Sequence, residues 1–225
     1  VDQLKMHPSF RLLTLLMAYA GLAVASENEW EVAMTEPISI KNRSLPKSLV
    51  KEVWAEGEMA APAIDIQEAL TNIDRLHQFM PFLKEARQLG TALSDGSIFV
   101  YTMIDLPIVG KRDYIVRRWL RESIASDGTG RFRNEWKSYP THLPKRPGVI
   151  RVVNNSGGWL VTPIADGAKS WVVYKFTADP GGWIPTFAVN LGNQKGVGDT
   201  YQAVEKEAQR LRAIRIAASK VDRSE

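Results

Sequence analysis

The chain has 225 residues, 44% of them hydrophobic and 24% charged, with no cysteine and a formal net charge of +4. That composition supports one sizeable core and excludes a disordered polymer, a disulfide scaffold, thiolate metal sites and cysteine catalysis. The 29 basic residues are offset by 25 acidic ones, which is not the concentrated basic face that nucleic-acid binding requires.

The aromatics carry more information. Seven Trp, 7 Phe and 6 Tyr stand against 3 His, a balance that suits an apolar cavity better than proton chemistry. Lys5, His7 and Arg11 precede an apolar run from Leu12 to Val24, which closes on Ala23-Val24-Ala25. A basic n-region, a short apolar h-region and an A-x-A site predict a signal peptide over residues 1–25, with Met6 as the start and cleavage after Ala25. The run is too short for a bilayer, which takes roughly 20 apolar residues. A buried N-terminal core helix and an uncleaved anchor are the alternatives. Cleavage removes Asp2, Lys5 and Arg11, leaves a mature charge of +3, and places the protein in a secreted or periplasmic compartment.

Ile38 to Lys41 and Leu49 to Met59 read as strands. Asp65 with Glu68 three residues on reads as a capping box. The helix it opens carries Ile66, Leu70, Ile73 and Leu76 on one face and stops near Met80-Pro81, and a second short helix is predicted from Pro81 to Leu89. From Ser97 the period becomes that of strands: Ile98–Ile104, Asp113–Ser123, Arg131–Ser138, Val149–Asn154, Gly158–Pro163 and Ser170–Ala178. Turn residues such as Asp95-Gly96, Asp127-Gly128 and Asp166-Gly167 separate them, which predicts hairpins and an antiparallel meander. After Pro185 a long helix shows Val197, Tyr201, Val204, Ala208 and Leu211 on one face, with Glu205, Lys206, Glu207 and Arg210 on the other. Residues 219–225 are expected as a frayed tail, so residues 26–218 form the single domain. The expected fold class is α+β, a curved antiparallel sheet wrapped around the C-terminal helix with an apolar cavity between them.

Four stretches resemble the START (StAR-related lipid transfer) domain family. They are Glu52-Val-Trp-Ala-Glu-Gly-Glu58, Leu106-Pro107 with Lys111-Arg112-Asp113-Tyr114, Gly148-Val-Ile-Arg-Val152, and Asp179-Pro-Gly-Gly-Trp-Ile-Pro185. Their order and spacing cover roughly residues 30 to 215. The resemblance implies a helix-grip fold around a lipid-sized cavity, in a secreted or periplasmic bacterial-type member. Read from the residues alone, Arg112-Asp113 is a surface pair, a buried pair or a backbone-bonded Asp.

On the strand after Asp113, Tyr114, Val116, Arg118 and Leu120 share one face. The resemblance to cholesterol-binding START domains implies a buried Arg at position 118, with its acidic partner on the preceding strand, where Asp105 is the only carboxylate. An Arg118 on the solvent face is the alternative. Tyr101, Met103, Trp136, Trp159, Tyr174 and Phe187 complete the candidate lining, each of them equally readable as core. Leu76, with Arg75 beside it, stands where phosphatidylcholine-transfer members carry a phosphate-binding Arg. This disfavours phosphatidylcholine and favours a sterol or another weakly polar lipid. The Pro-rich 139–148 loop, with Lys145-Arg146, falls where the family gates its cavity, or is an ordinary exposed connection.

His77 and His142 are isolated, and neither a zinc-ligand pattern, a nucleophile elbow nor a P-loop occurs. No cofactor is expected. The expected function is capture and carriage of one lipid by a monomer with brief membrane contact and no nucleic-acid partner. A cyclase or aromatase of the same fold, using Arg118, Tyr101, Tyr114 and Asn134, is the enzymatic alternative, and a lipid sensor without transfer is the third.

Overall fold

The computed structural model describes residues 30–45, 51–182 and 195–221. The signal segment, Phe187 and the Trp183-Ile-Pro185 end of the hinge motif lie outside these residues.

One sheet dominates the molecule. Strands β1 (Glu31–Met34), β2 (Ser39–Ser44) and β3 (Lys51–Met59) precede the first helices, and β4 (Leu83–Leu89), β5 (Ile98–Leu106), β6 (Gly110–Glu122), β7 (Phe132–Ser138), β8 (Ile150–Arg151), β9 (Asn154–Ile164) and β10 (Lys169–Asp179) follow. The order across the sheet is β1-β2-β3-β10-β9-β7-β6-β5-β4, all antiparallel, with β8 beside β6 in parallel. The predicted strand over 149–154 is thus a two-residue strand that ends before β9 begins.

The helices are α1 (Ala63–Thr71), a 3-10 turn Ile73–Arg75, α2 (Leu76–Phe79) and α3 (Val197–Val221). Pro62 caps α1 and no side chain caps it, so the Asp65/Glu68 capping box does not form. Asp65 lies instead within the first turn, fully buried, where its Oδ2 accepts from Arg215 of α3 at 2.6 Å. The helix predicted over Pro81–Leu89 is strand β4. Its Leu83, Ala86 and Leu89 have helical spacing, but pairing with β5 overrides that local signal. Phe82, with φ 60, turns the chain out of α2 into the strand.

The curved sheet and α3 enclose the main core. Val197, Tyr201, Val204 and Ala208 are buried along one stripe of α3, as an amphipathic helix requires. The Tyr201 hydroxyl donates to the Gly57 or the Val172 carbonyl oxygen, at 2.7 and 2.9 Å, fixing the helix across β3 and β10. Glu207, expected on the solvent face, is buried between Arg210 and Arg75. Ser219 and Lys220 are helical rather than part of a tail.

A second layer covers the other face of β4–β6. Leu143 of the 139–149 connection packs on Leu89, Phe99, Tyr101 and Ile115, while His142 stacks on Phe99 at 4.0 Å. Among the described residues no helix is long and apolar enough to cross a membrane.

Candidate functional site

The inner face of the sheet carries a cavity of about 360 Å3 next to the main core. Strand β6 contributes Tyr114, Val116 and Arg118 to its wall, and β5 contributes Val100, Thr102, Ile104 and Leu106. Register explains the pairing of these two sets: Val100 lies opposite Val116 and Thr102 opposite Tyr114, and directly opposed residues point to the same side of a sheet. Leu70, Ile73 and Leu76 close the cavity from the helical side.

An aromatic wall comes from three further strands. Trp159 of β9 and Tyr174 of β10 are register partners and stack at 4.0 Å with their planes 7° apart. Phe176 follows at 4.9 Å from Tyr174, and Trp136 of β7 lies 6.2 Å from the same ring. Room for Trp136 and Phe176 depends on Gly157. A Cβ there would lie 2.6 Å from the Trp136 ring and 2.8 Å from the Phe176 Cβ.

The polar groups are few. Trp136 Nε1 donates to Asn155 Oδ1 at 2.9 Å, and Asn134 Oδ1 accepts the Trp159 main-chain N–H at 3.1 Å. Burial pushes the Tyr114 phenol up, with a Thr102 hydrogen bond opposing it, and burial likewise raises Tyr174. Both stay protonated at neutral pH.

Arg118 is the one charged side chain among the described residues of the lining. Its Nη2 donates to the Leu70 carbonyl oxygen at 2.7 Å, capping one of the carbonyls left unpaired at the end of α1. Desolvation pulls its guanidinium down to about 10. Asp105 does not reach it. Asp105 alternates with Ile104 and Leu106, so it shares the opposite face with Tyr101 and Met103, and none of the three lines the cavity. The expected lining is therefore corrected at Tyr101, Met103 and Asp105, while Arg118, Tyr114, Val116, Trp136, Trp159 and Tyr174 do meet at one cavity and Phe187 lies outside the described residues. Phe176 was legible as the alternation partner of Tyr174, whereas Asn155 was not, because the strand predicted from Gly158 begins at Asn154 in the structure. Nothing in the strand pattern of β5 distinguished Val100 from Tyr101.

A Xanthomonas axonopodis STAR-related lipid transfer protein superposes on the chain with a TM-score of 0.67 at 26% identity, covering 80% of this chain and 98% of that one. The chain has the START fold. Human StAR-related lipid transfer protein 5 gives a TM-score of 0.69 at 14% identity, over 84% of this chain and 90% of that one. The Zhui aromatase/cyclase from a Streptomyces species gives 0.51 at 17% identity, over 72% and 94%. These last two share the fold alone. No protein-family model matches the chain, and a search of curated proteins finds no match either.

Within this START fold the Arg112-Asp113 segment is fully buried, and the two residues serve different partners. The Arg112 guanidinium donates to the carbonyl oxygens of Val109, Gly110 and Pro180, tying the β5–β6 turn to the Pro180-Gly-Gly182 segment. Asp113 accepts from Arg151 Nε at 2.7 Å and Nη2 at 3.0 Å, and from the Tyr101 hydroxyl at 3.2 Å. Arg151 also donates to Pro140, Leu143 and Pro144 carbonyl oxygens. The 139–148 loop is thereby held on the face of the sheet away from the cavity. Arg146, expected at a basic tip, donates to Glu85 at 2.6 Å and to the Tyr101 hydroxyl at 3.0 Å. Arg75 turns to Glu207 at 3.5 Å, leaving Leu76 in the cavity wall.

Proposed function

We propose that the chain binds a single lipid in the cavity between sheet and helix, with its polar end at Arg118, and carries or presents it between membranes. The carrying observation is the cavity itself: about 360 Å3, walled among the described residues chiefly by apolar and aromatic side chains and by one cation, Arg118. Burying acyl or ring surface there supplies roughly 25 cal/mol per Å2, and the volume falls in the range of small-molecule sites, about 300–1,000 Å3.

Two features support binding over cyclase chemistry. Among the described residues no Asp, Glu or His lines the cavity, so the usual acid–base pair is lacking. The phenols of Tyr114 and Tyr174, raised by burial, are poor bases. A lipid with a small polar end, a class that includes sterols and single-chain lipids, is preferred to phosphatidylcholine, because Leu76 offers no charge and Arg75 is engaged by Glu207. The signal-like N-terminus supports an exported compartment, and a monomer suffices for the role.

Native mass spectrometry after gentle purification tests the reading, with a bound lipid of defined mass expected. A ligand-free chain that takes up no lipid from vesicles would overturn it.

A further inference from the structure

We infer that the lipid's polar end is an oxyanion, a carboxylate or a phosphate monoester, seated on the Arg118 guanidinium. The inference rests on the lipid-binding reading above and narrows it.

The first observation is a charge without a counter-charge. Among the described residues Arg118 forms no ion pair, and no carboxylate lines its cavity. The two internal segments outside the described residues, 46–50 and 183–194, contain no Asp or Glu. Its neighbours across the sheet are Ile98 and Trp136, which offer no charge. Asp105, on the preceding strand, faces the other side. A cation held among apolar groups is costly unless it is paired and hydrogen-bonded.

The second observation is unused donor capacity. A guanidinium presents five N–H groups in a planar fork, and among the described residues one of its nitrogens is engaged, by the Leu70 carbonyl oxygen. A sterol hydroxyl would satisfy one more donor and leave the charge unbalanced. An oxyanion takes two parallel N–H bonds and neutralises the site in the same step. The thin supply of other polar groups among the described lining, two asparagines, Thr102, Thr200 and the tyrosines, suits a head no larger than a carboxylate or phosphate.

Three probes with one sixteen-carbon tail separate the possibilities: palmitate, hexadecyl phosphate and methyl palmitate, each titrated into the delipidated full chain, with cholesterol as a fourth ligand. Tryptophan fluorescence, through Trp136 and Trp159, reports occupancy. At least one anion should bind about tenfold or more tightly than methyl palmitate, since hydrogen bonds to charged partners are the stronger class. Whichever anion does so names the head. Arg118→Gln should reduce the anions to the level of the ester; should that variant fail to fold, the discrimination by the parent chain decides alone. Equal binding of the ester and both anions, or preference for cholesterol, overturns the oxyanion while leaving lipid binding intact. Failure of all four to bind overturns the lipid-binding reading itself.

Discussion

The Arg118 guanidinium and the Leu70 carbonyl oxygen meet at 2.7 Å across the edge of the cavity. That single bond joins β6 to the end of α1, so Arg118 has a structural partner as well as a place in the cavity wall. The two roles make different predictions. Arg118→Met removes a desolvated charge, a gain, and leaves one helix-end carbonyl unpaired, a loss of about 1–3 kcal/mol. The net change in unfolding free energy by urea denaturation should stay within about 1 kcal/mol. A loss of more than about 3 kcal/mol would make Arg118 chiefly a structural cap.

Gly157 sits under the aromatic wall. Its added Cβ would clash first with the Lys175 main-chain oxygen of β10 and fall 2.6 Å from the Trp136 ring, so Gly157→Ala must part β9 from β10 or push Trp136 or Phe176 into the cavity. Overpacking of this kind costs about 1–3 kcal/mol. The expected outcome is a lower denaturation midpoint together with weaker lipid uptake. An unchanged midpoint with full uptake would show that the wall yields freely.

The architecture was legible where the pattern was one-sided. The stripe Val197, Tyr201, Val204 and Ala208 is apolar against a polar background, and the structure buries all four. On β6, Tyr114, Val116 and Arg118 were identifiable as one face because a 13-residue strand alternates over a long run. Strand β5 was not legible in the same way. Phe99, Tyr101 and Met103 are as apolar as Val100, Thr102 and Ile104, since the 139–149 connection covers one side and the cavity the other. Only the β5–β6 register, a non-local fact, separates the two sets, and a one-residue difference in face exchanges every side chain. Strand β4 failed for a related reason: three apolar residues at helical spacing, Leu83 half-buried and Ala86 and Leu89 buried, are covered by a strand's packing rather than by a helical stripe.

Arg151 and Asp113 form the most deeply enclosed ion pair among the described residues, each side chain 1% exposed. Removing one partner strands a buried charge, at about 3–5 kcal/mol, and Arg151 in addition holds three loop carbonyls. Arg151→Ala should therefore destabilise the fold and free the 140–149 loop together. Trypsin should then cut after Lys145, since Pro147 blocks cleavage after Arg146, well before global unfolding. A loop as resistant as the parent's would show that the packing of Leu143 and His142 holds it without the ion pair.

Asp65 gives the fold a pH signature of unusual sign. Desolvation by burial raises its pKa, with Arg215 opposing the shift, whereas Glu207 is lowered by its hydrogen bond from Arg210. A depressed carboxylate such as Glu207 lends stability above its unfolded value, about 4.3, and loses it as pH falls through the folded one. A raised carboxylate does the reverse. Folding takes up a proton at Asp65 between its unfolded value, about 3.9, and its higher folded value, so its own contribution improves as pH falls through that window. Whole-protein stability should still decline in acid, because the depressed carboxylates outnumber Asp65. The difference between the parent and Asp65→Asn isolates the one group. Measured by denaturant titration from pH 7 down to about 4, that difference should move in favour of the parent. Movement the other way would mean that the bond from Arg215 outweighs burial, and that Asp65 is held as a stabilised carboxylate anchoring α3 to α1.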